Sequence, residues 1–215
     1  INYLPMKDIK IYIDPVDATS LLIKKIFDPV MILIGIAYKE KPLIGFSTYP
    51  LYENTNKSII YFNIPEKGIY EYDIYDEKFI KIKITENLNK DLIVRYNMNK
   101  EKDLGIFLIF WLLVCQKLND WNLIRGSGYA NKAILAIKKN APYYSSMTGL
   151  GPWDTCAVNA LALENGGSIN KLDGSEIIYT NELDKNGLDF PVVYFPNEKR
   201  KKDFFDDYQS NTSKF

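Results

Sequence analysis

Two carboxylates at the end of a predicted strand are the residues best placed to do chemistry. Asp14 and Asp17 stand in the run DPVDAT, which directly follows an alternating polar and apolar segment. Because Pro15 turns the chain where the strand stops, both carboxylates and the Val16 carbonyl are expected to point toward one place. Oxygen ligands of that kind suit a hard cation such as Mg2+. Taken alone, the run also fits a strand-end turn in which Asp17 caps a helix.

The backbone that follows these carboxylates is suited to binding an anion. If a helix begins at Ala18, its free N–H groups and the positive end of its dipole would hold a phosphate group beside the cation. The Thr19 hydroxyl would then point into the same space. A hard cation next to phosphate is a common arrangement for Mg2+ in proteins.

A third carboxylate stands far downstream, at Asp154, in a run GPWDTCA that opens a predicted helix. Its simplest interpretation is a helix cap next to a packed tryptophan. The functional interpretation brings Asp154 to the same place as Asp14 and Asp17. Three neighbouring carboxylates repel one another unless a multivalent cation neutralises them, so the two runs together predict a metal site.

The composition excludes several other kinds of chemistry. The 215 residues contain no histidine and two cysteines, Cys115 and Cys156. A Ser-His-Asp triad, a Cys-His pair and the usual zinc sites are therefore excluded. The 27 basic residues equal the 27 acidic ones, which argues against a nucleic acid or an anionic membrane as partner. The longest apolar run, Leu104–Cys115, is shorter than the ~20 residues that cross a bilayer. The two cysteines form neither a disulfide framework nor a CxxC pair, so a reducing compartment and a cytoplasmic location are expected.

Strand patterns fill the first half of the chain and helical patterns appear in the second. Strands are predicted at Ile9–Ile13, Val30–Tyr38, Leu43–Tyr49, Ser58–Phe62, Gly68–Tyr75, Lys78–Ile84 and Asp91–Tyr96. Helices are predicted at Lys102–Leu118, Asn131–Lys139 and Trp153–Glu164, with short strands at 123–125, 142–147 and 168–172. The nearly continuous apolar run from Val30 predicts a strand buried on both faces.

These elements predict an α/β (α+β) fold with packed layers. We expect a β-rich part over residues 1–98, an α/β part that completes a cleft over residues 99–197, and a tail over residues 198–215.

The motifs jointly resemble the lithium-sensitive, Mg2+-dependent phosphatase superfamily, which includes inositol monophosphatase, inositol polyphosphate 1-phosphatase and 3'(2'),5'-bisphosphate nucleotidase. The strand that ends in DPVDAT and the helix that opens with WDTCA and closes with ENGG carry this resemblance. The segments Val30–Tyr38, Lys41–Gly45 and Gly128–Lys132 look most like the bisphosphate nucleotidase branch. The similarity extends from about Ile9 to Leu172.

The resemblance implies a layered sugar-phosphatase fold and a role for each matched residue. It implies that two or three Mg2+ ions are held by Asp14, the Val16 carbonyl, Asp17 and Asp154. Ala18 and Thr19 match the residues whose backbone N–H groups hold the scissile phosphate, and Thr19 also matches the threonine that helps to activate the attacking water. Gly128 and Lys132 match nucleotide contacts of the nucleotidase branch.

Three departures from the family pattern bear on activity. The family has Gly where this chain has Ala18, and a side chain there would be strained if the backbone required a positive φ. The upstream metal-bridging Glu and the acid that partners the threonine fall before Ile1 in the family pattern, so the N-terminal part is expected to be missing. Val94 and Asn97 replace a Thr and a His that contact nucleotide.

The resemblance therefore implies a Mg2+-dependent phosphomonoesterase that converts 3'-phosphoadenosine 5'-phosphate to AMP and phosphate by attack of metal-activated water. An inositol polyphosphate 1-phosphatase-like activity is an alternative, and so is a catalytically weak ligand-binding relative. In each case the expected partner is a small phosphorylated molecule. The sequence leaves the oligomeric state open.

Overall fold

The structure, a computed structural model, describes residues 4–52, 57–82, 91–95, 122–141, 143–145, 150–171, 173–188, 192–202 and 205–206. These residues form two β-sheets with two helices packed between them. The predicted layered α/β fold is confirmed.

The first sheet is an antiparallel meander in which the strands lie in chain order. Its strands are β1 (Ile9–Asp17), β2 (Met31–Tyr38), β3 (Lys41–Tyr52), β4 (Lys57–Ile64), β5 (Gly68–Asp73) and β6 (Lys78–Lys81). Lys39 and Glu40 join β2 to β3 and both have positive φ, 48° and 63°, as a two-residue type I′ hairpin turn requires. The predicted strands of this sheet are confirmed within the described residues.

The sequence predicts that strand β1 stops at Asp14, but the strand continues through Pro15 to Asp17. The pairing with β2 shifts between Asp14 and Asp17, which is a β-bulge. Proline lacks the N–H that a central strand must donate, but β1 is an edge strand and Pro15 lies in the irregular stretch. No ladder hydrogen bond is lost there, so the strand carries both carboxylates.

The prediction that β2 is buried on both faces is wrong. Met31 and Leu33 are fully buried, whereas Ile32 and Ile34 are 37% and 36% exposed. Helices cover one face of this antiparallel sheet, so side chains alternate between the interior and the outer face. An apolar run alone does not distinguish these two arrangements.

The second sheet has the order β10-β11-β9-β7-β8, and β7 runs parallel to both β8 and β9. Its strands are β7 (Asp91–Arg95), β8 (Asn122–Gly126), β9 (Tyr143–Ser145), β10 (Ser168–Lys171) and β11 (Val192–Phe195). The helices are α1 (Thr19–Ile23), α2 (Tyr129–Lys139), α3 (Pro152–Glu164) and α4 (Asn181–Asn186). Helix α4 and strand β11 were not predicted from the sequence, and the predicted helix at Lys102–Leu118 lies outside the described residues. The division into residues 1–98, 99–197 and 198–215 stays a prediction.

Helix α3 forms the centre of the core. It packs on β2 and β3 of the first sheet and also contacts α2 and β10. Two glycines that face each other across β2 and β3, Gly35 and Gly45, leave room for it. A Cβ added to Gly35 would lie 2.6 Å from both the Ala157 nitrogen and the Cys156 Cβ. Within the part of the chain that the structure describes, no helix has the length and apolar character of a membrane span.

Candidate metal centre

Three carboxylates from two separate elements meet at one point. Asp14 and Asp17 lie on the bulged end of β1, and Asp154 lies in the first turn of α3. One oxygen from each lies within 4.8 Å of the others. Asp14 and Asp17 are 9% and 7% exposed, so these charges are largely removed from water.

Backbone N–H groups hold the two β1 carboxylates in place. The Val16 nitrogen donates to Asp14 Oδ1 at 2.9 Å, because the bulge folds the chain back onto the preceding side chain. The Ala130 nitrogen, at the start of α2, donates to Asp17 Oδ2 at 3.0 Å. The Asp17 carboxylate thus accepts a hydrogen bond from one of the free N–H groups that every helix has at its N-terminus. This bond connects β1 to α2.

Backbone groups at the helix start that bears Asp154 hold its carboxylate in place. The Gly151 nitrogen donates to Asp154 Oδ2, and the Asp154 nitrogen donates to the Gly151 carbonyl at 3.1 Å. Pro152 occupies the first helical turn, a position that needs no N–H partner. Asp154 therefore has a defined position before any ligand binds.

The electrostatics of the cluster favour a bound cation. Burial, followed by the charges of Asp17 and Asp14, raises the pKa of Asp154 to about 7, against the lowering effect of the Gly151 N–H. Burial also raises the pKa of Asp17, and its hydrogen bond from Ala130 acts in the opposite direction. A multivalent cation would relieve the repulsion that raises both pKa values. Closely spaced carboxylate oxygens are the ligands that a hard cation such as Mg2+ prefers, so the residues fit this metal.

The other predicted site residues surround the carboxylates. Ala18 has a left-handed backbone conformation, and Thr19 is the exposed first residue of α1. Gly128 also has positive φ, and a Cβ placed on it would lie 3.4 Å from the Ala18 Cβ. Lys132 is 1% exposed, and its charge lowers the pKa of Asp17.

Two backbone groups that hold the carboxylates were not foreseen from the sequence. The Ala130 N–H reaches Asp17 across 113 residues of chain, so no local pattern could indicate it. The Gly151 N–H was within reach of sequence reasoning, since an acid three residues after a helix cap can reach back to the N–H of the cap residue, as in one half of a capping box.

A six-stranded antiparallel sheet and a smaller mixed sheet that enclose two helices define a layered α/β sugar-phosphatase fold. Among solved structures, CysQ from Bacteroides thetaiotaomicron, described as a bacterial member of the inositol monophosphatase family, superposes with a TM-score of 0.69 over 87% of this chain at 19% identity. Inositol monophosphatase from Anabaena superposes with a TM-score of 0.67 over 94% of this chain at 14% identity.

The sequence pattern of the inositol monophosphatase family matches residues 3–191, and the chain belongs to this family. Among curated relatives, 3'(2'),5'-bisphosphate nucleotidase 1 of Dictyostelium discoideum is 26% identical over 96% of this chain. The protein of the same name from Rattus norvegicus is 26% identical over 82% of this chain. The chain spans 66% and 54% of the length of these two relatives.

Proposed function

We propose that this chain forms the metal-binding core of a Mg2+-dependent phosphomonoesterase that removes the 3'-phosphate of 3'-phosphoadenosine 5'-phosphate. The observation that carries the proposal is the cluster of three carboxylates within 4.8 Å of one another, on the bulged end of β1 and the start of α3. Clusters of this kind position hard cations at phosphoryl-transfer sites.

The proposed roles are those that the family resemblance implies, and the carboxylate cluster supports the metal ligands among them. Asp14, Asp17, Asp154 and the Val16 carbonyl would ligate Mg2+. The cation would supply positive charge that offsets the charge developing on the phosphate oxygens. The N–H groups of Ala18 and Thr19 would hold the phosphate, and the Thr19 hydroxyl would orient the attacking water. Gly128 and Lys132 would contact the nucleotide. Water attacks phosphorus, the bond from phosphorus to the 3' oxygen breaks, and that oxygen gains a proton.

The choice of a nucleotide as substrate is supported by the relatives. The Dictyostelium and rat proteins are named 3'(2'),5'-bisphosphate nucleotidase, and a further rat relative, 25% identical over 82% of this chain, is named Golgi-resident adenosine 3',5'-bisphosphate 3'-phosphatase. An inositol phosphate is the second candidate substrate. It is favoured by inositol monophosphatase 3 of Xenopus tropicalis, which is 25% identical over 87% of this chain.

The test is phosphate release by the full-length protein from 3'-phosphoadenosine 5'-phosphate and from inositol 1,4-bisphosphate, with Mg2+ and with a chelator. We expect Mg2+-dependent release from the nucleotide. Release from the inositol phosphate alone would show that the substrate is an inositol phosphate, the second candidate. Release from neither by a folded protein would favour a catalytically weak relative, for which Ala18 is the first residue to examine.

Asp17→Asn tests the metal site directly. The change keeps the shape of the side chain but removes one ligand charge. Activity should fall more than ~100-fold, beyond the range that changes outside the ligand shell produce. Asp76→Asn is the matched control, because Asp76 is an exposed acid that pairs with Lys57 in the turn between β5 and β6. Equal activity of both variants would show that Asp17 is not a ligand of the metal site.

A further inference from the structure

The proposed metal site depends on the distance between two elements. Asp14 and Asp17 move with β1, and Asp154 moves with α3. Tight cation binding requires that the ligands on both elements keep their distances to the cation within a few tenths of an ångström. Side chains that join β1 to α3 are therefore candidates for setting the geometry of the site.

Tyr179, which precedes α4, contacts β1 through its own backbone carbonyl and through its aromatic ring. Its carbonyl accepts a hydrogen bond from Lys10 Nζ at 3.0 Å, and its ring centroid lies 5.6 Å from that of Tyr12. Asp184 of α4 fastens the same two β1 residues, since its carboxylate accepts from Lys10 Nζ at 2.9 Å and from the Tyr12 hydroxyl at 2.8 Å. Tyr179 is thus fixed relative to the strand that bears Asp14 and Asp17.

The hydroxyl at the other end of Tyr179 contacts α3. It accepts from Asn159 Nδ2 at 3.3 Å and donates to Thr155 Oγ1 at 3.3 Å. The Thr155 hydroxyl donates in turn to the Gly151 carbonyl at 3.4 Å. Gly151 is the residue whose N–H holds the Asp154 carboxylate. A chain of hydrogen bonds therefore runs from Tyr179 to the group that orients Asp154.

This chain of hydrogen bonds is buried. Tyr179 and Thr155 are fully buried, and Asn159 is 3% exposed. Burial raises the pKa of Tyr179, so its hydroxyl keeps the proton that it donates. Water cannot easily replace a lost partner in such surroundings, and the contacts act together rather than singly.

We propose that Tyr179 is a positioning residue, which sets the separation of Asp154 from Asp14 and Asp17 and so determines the affinity for a divalent cation. The inference rests on the proposed metal site. It adds to that site a residue that contacts neither the cation nor the substrate and that acts through Thr155 and Gly151.

Tyr179→Phe tests this role, because it keeps the ring and the backbone contacts with β1 and removes the hydroxyl. Tyr194→Phe is the matched control. Tyr194 is also fully buried, and its hydroxyl accepts from Asn165 Nδ2 at 3.1 Å, at the opposite end of α3 from Asp154. Both variants lose one buried hydroxyl, which is bound to α3 in Tyr179 and to the residue that directly follows α3 in Tyr194, so a general loss of packing affects them alike.

The measurement is Mn2+ binding to the full-length protein by calorimetry, with the Mn2+ electron paramagnetic resonance spectrum as a readout of ligand geometry. Tyr179→Phe should weaken Mn2+ binding about tenfold, as changes in groups that orient metal ligands do, and should alter the spectrum. Tyr194→Phe should change the affinity less than ~2-fold on the same scale, with a similar fall in the thermal midpoint. Equal affinity losses in the two variants, or no loss in Tyr179→Phe, would overturn the proposal.

Thr155→Val provides a second test if Tyr179→Phe folds poorly. It removes the next hydroxyl in the chain, and it should weaken Mn2+ binding in the same direction, whereas Thr155→Ser should retain wild-type affinity. Wild-type protein that binds Mn2+ but releases no phosphate would contradict the proposed function and leave the role of Tyr179 measurable. Wild-type protein that binds no Mn2+ would overturn both.

Discussion

Ala18 adopts a left-handed backbone conformation, with φ of 67° and ψ of 38°, between Asp17 and the start of α1. An L-residue with a Cβ pays about 1–2 kcal/mol for this conformation, whereas glycine does not. The family pattern has glycine at this position, and the positive φ explains that preference. Strain of this kind persists where the surrounding structure fixes the chain, as the hydrogen bond from the Ala130 nitrogen to the neighbouring Asp17 does here.

Ala18→Gly should raise the free energy of unfolding by about 1 kcal/mol, because relief of strain exceeds the added entropy of the unfolded chain. Activity should hold or rise. Urea denaturation at fixed Mg2+ concentration measures the first effect. As a control, Ala133→Gly in the interior of α2 should lower the free energy of unfolding, since a helical alanine gains nothing from the change. A large loss of stability in Ala18→Gly would show a different backbone at this position.

At the scale of elements, the closeness of α3 to the first sheet decides where Asp154 lies. The helix passes over the glycine pair Gly35 and Gly45 on β2 and β3. A Cβ at Gly45 would overlap the carbonyl of Ala157, a backbone atom that cannot move independently of the helix. The absence of two side chains in the sheet is therefore a condition for bringing the third carboxylate to β1.

Gly45→Ala should lower the free energy of unfolding by about 2–3 kcal/mol, the upper part of the range for overpacking a core, and should weaken Mn2+ binding because α3 is displaced. Gly166→Ala is the control that separates the cost of steric overlap from the cost of an unfavourable backbone conformation. Gly166 has φ of 76° and no atom within 4 Å of an added Cβ, so its substitution should cost only about 1 kcal/mol and leave Mn2+ binding unchanged. Chemical denaturation and calorimetry distinguish the two cases, and an unperturbed Gly45→Ala protein would contradict the close packing.

At the scale of the whole molecule, the acidic cluster makes the free energy of unfolding depend on pH and on bound cations. Without a cation, the folded protein raises the pKa of Asp154 to about 7, from an ordinary value of 3.8. A carboxyl whose pKa is higher in the folded state binds protons more tightly there than in the unfolded chain. The folded state is therefore favoured at low pH, and this contribution is lost as pH rises from about 4 to about 7.

In the presence of a chelator, the free energy of unfolding should fall between pH 5 and pH 8, on the order of 1–3 kcal/mol, as the carboxylates become charged without a counterion. Saturating Mg2+ should remove most of this loss, since a cation that binds only the folded state stabilises it. Thermal unfolding at both pH values, with Mg2+ and with chelator, provides the measurement. Asp154→Asn should flatten the pH dependence in chelator. A wild-type protein whose stability does not change with pH or Mg2+ would contradict the cluster.

The amino-acid sequence by itself determined the types of residue at the site and most of the elements that carry them. The run DPVDAT and the start of the helix at Pro152 predicted three carboxylates, and the periodicity of α2 and α3 predicted both helices. Local patterns are sufficient here, because the start and stop signals of both helices, and the amphipathic spacing of α2, are set within a few residues of chain.

Only the tertiary structure decided how those parts meet. Pro15 was expected to end β1, yet an edge position and a bulge let the strand continue to Asp17. The exposed face of β2, the bond from Ala130 to Asp17 and the contacts of Tyr179 likewise depend on segments far apart in the chain. The physical reason is that packing, burial and the resulting pKa values arise from which surfaces come into contact, and a local sequence pattern does not record its distant neighbours.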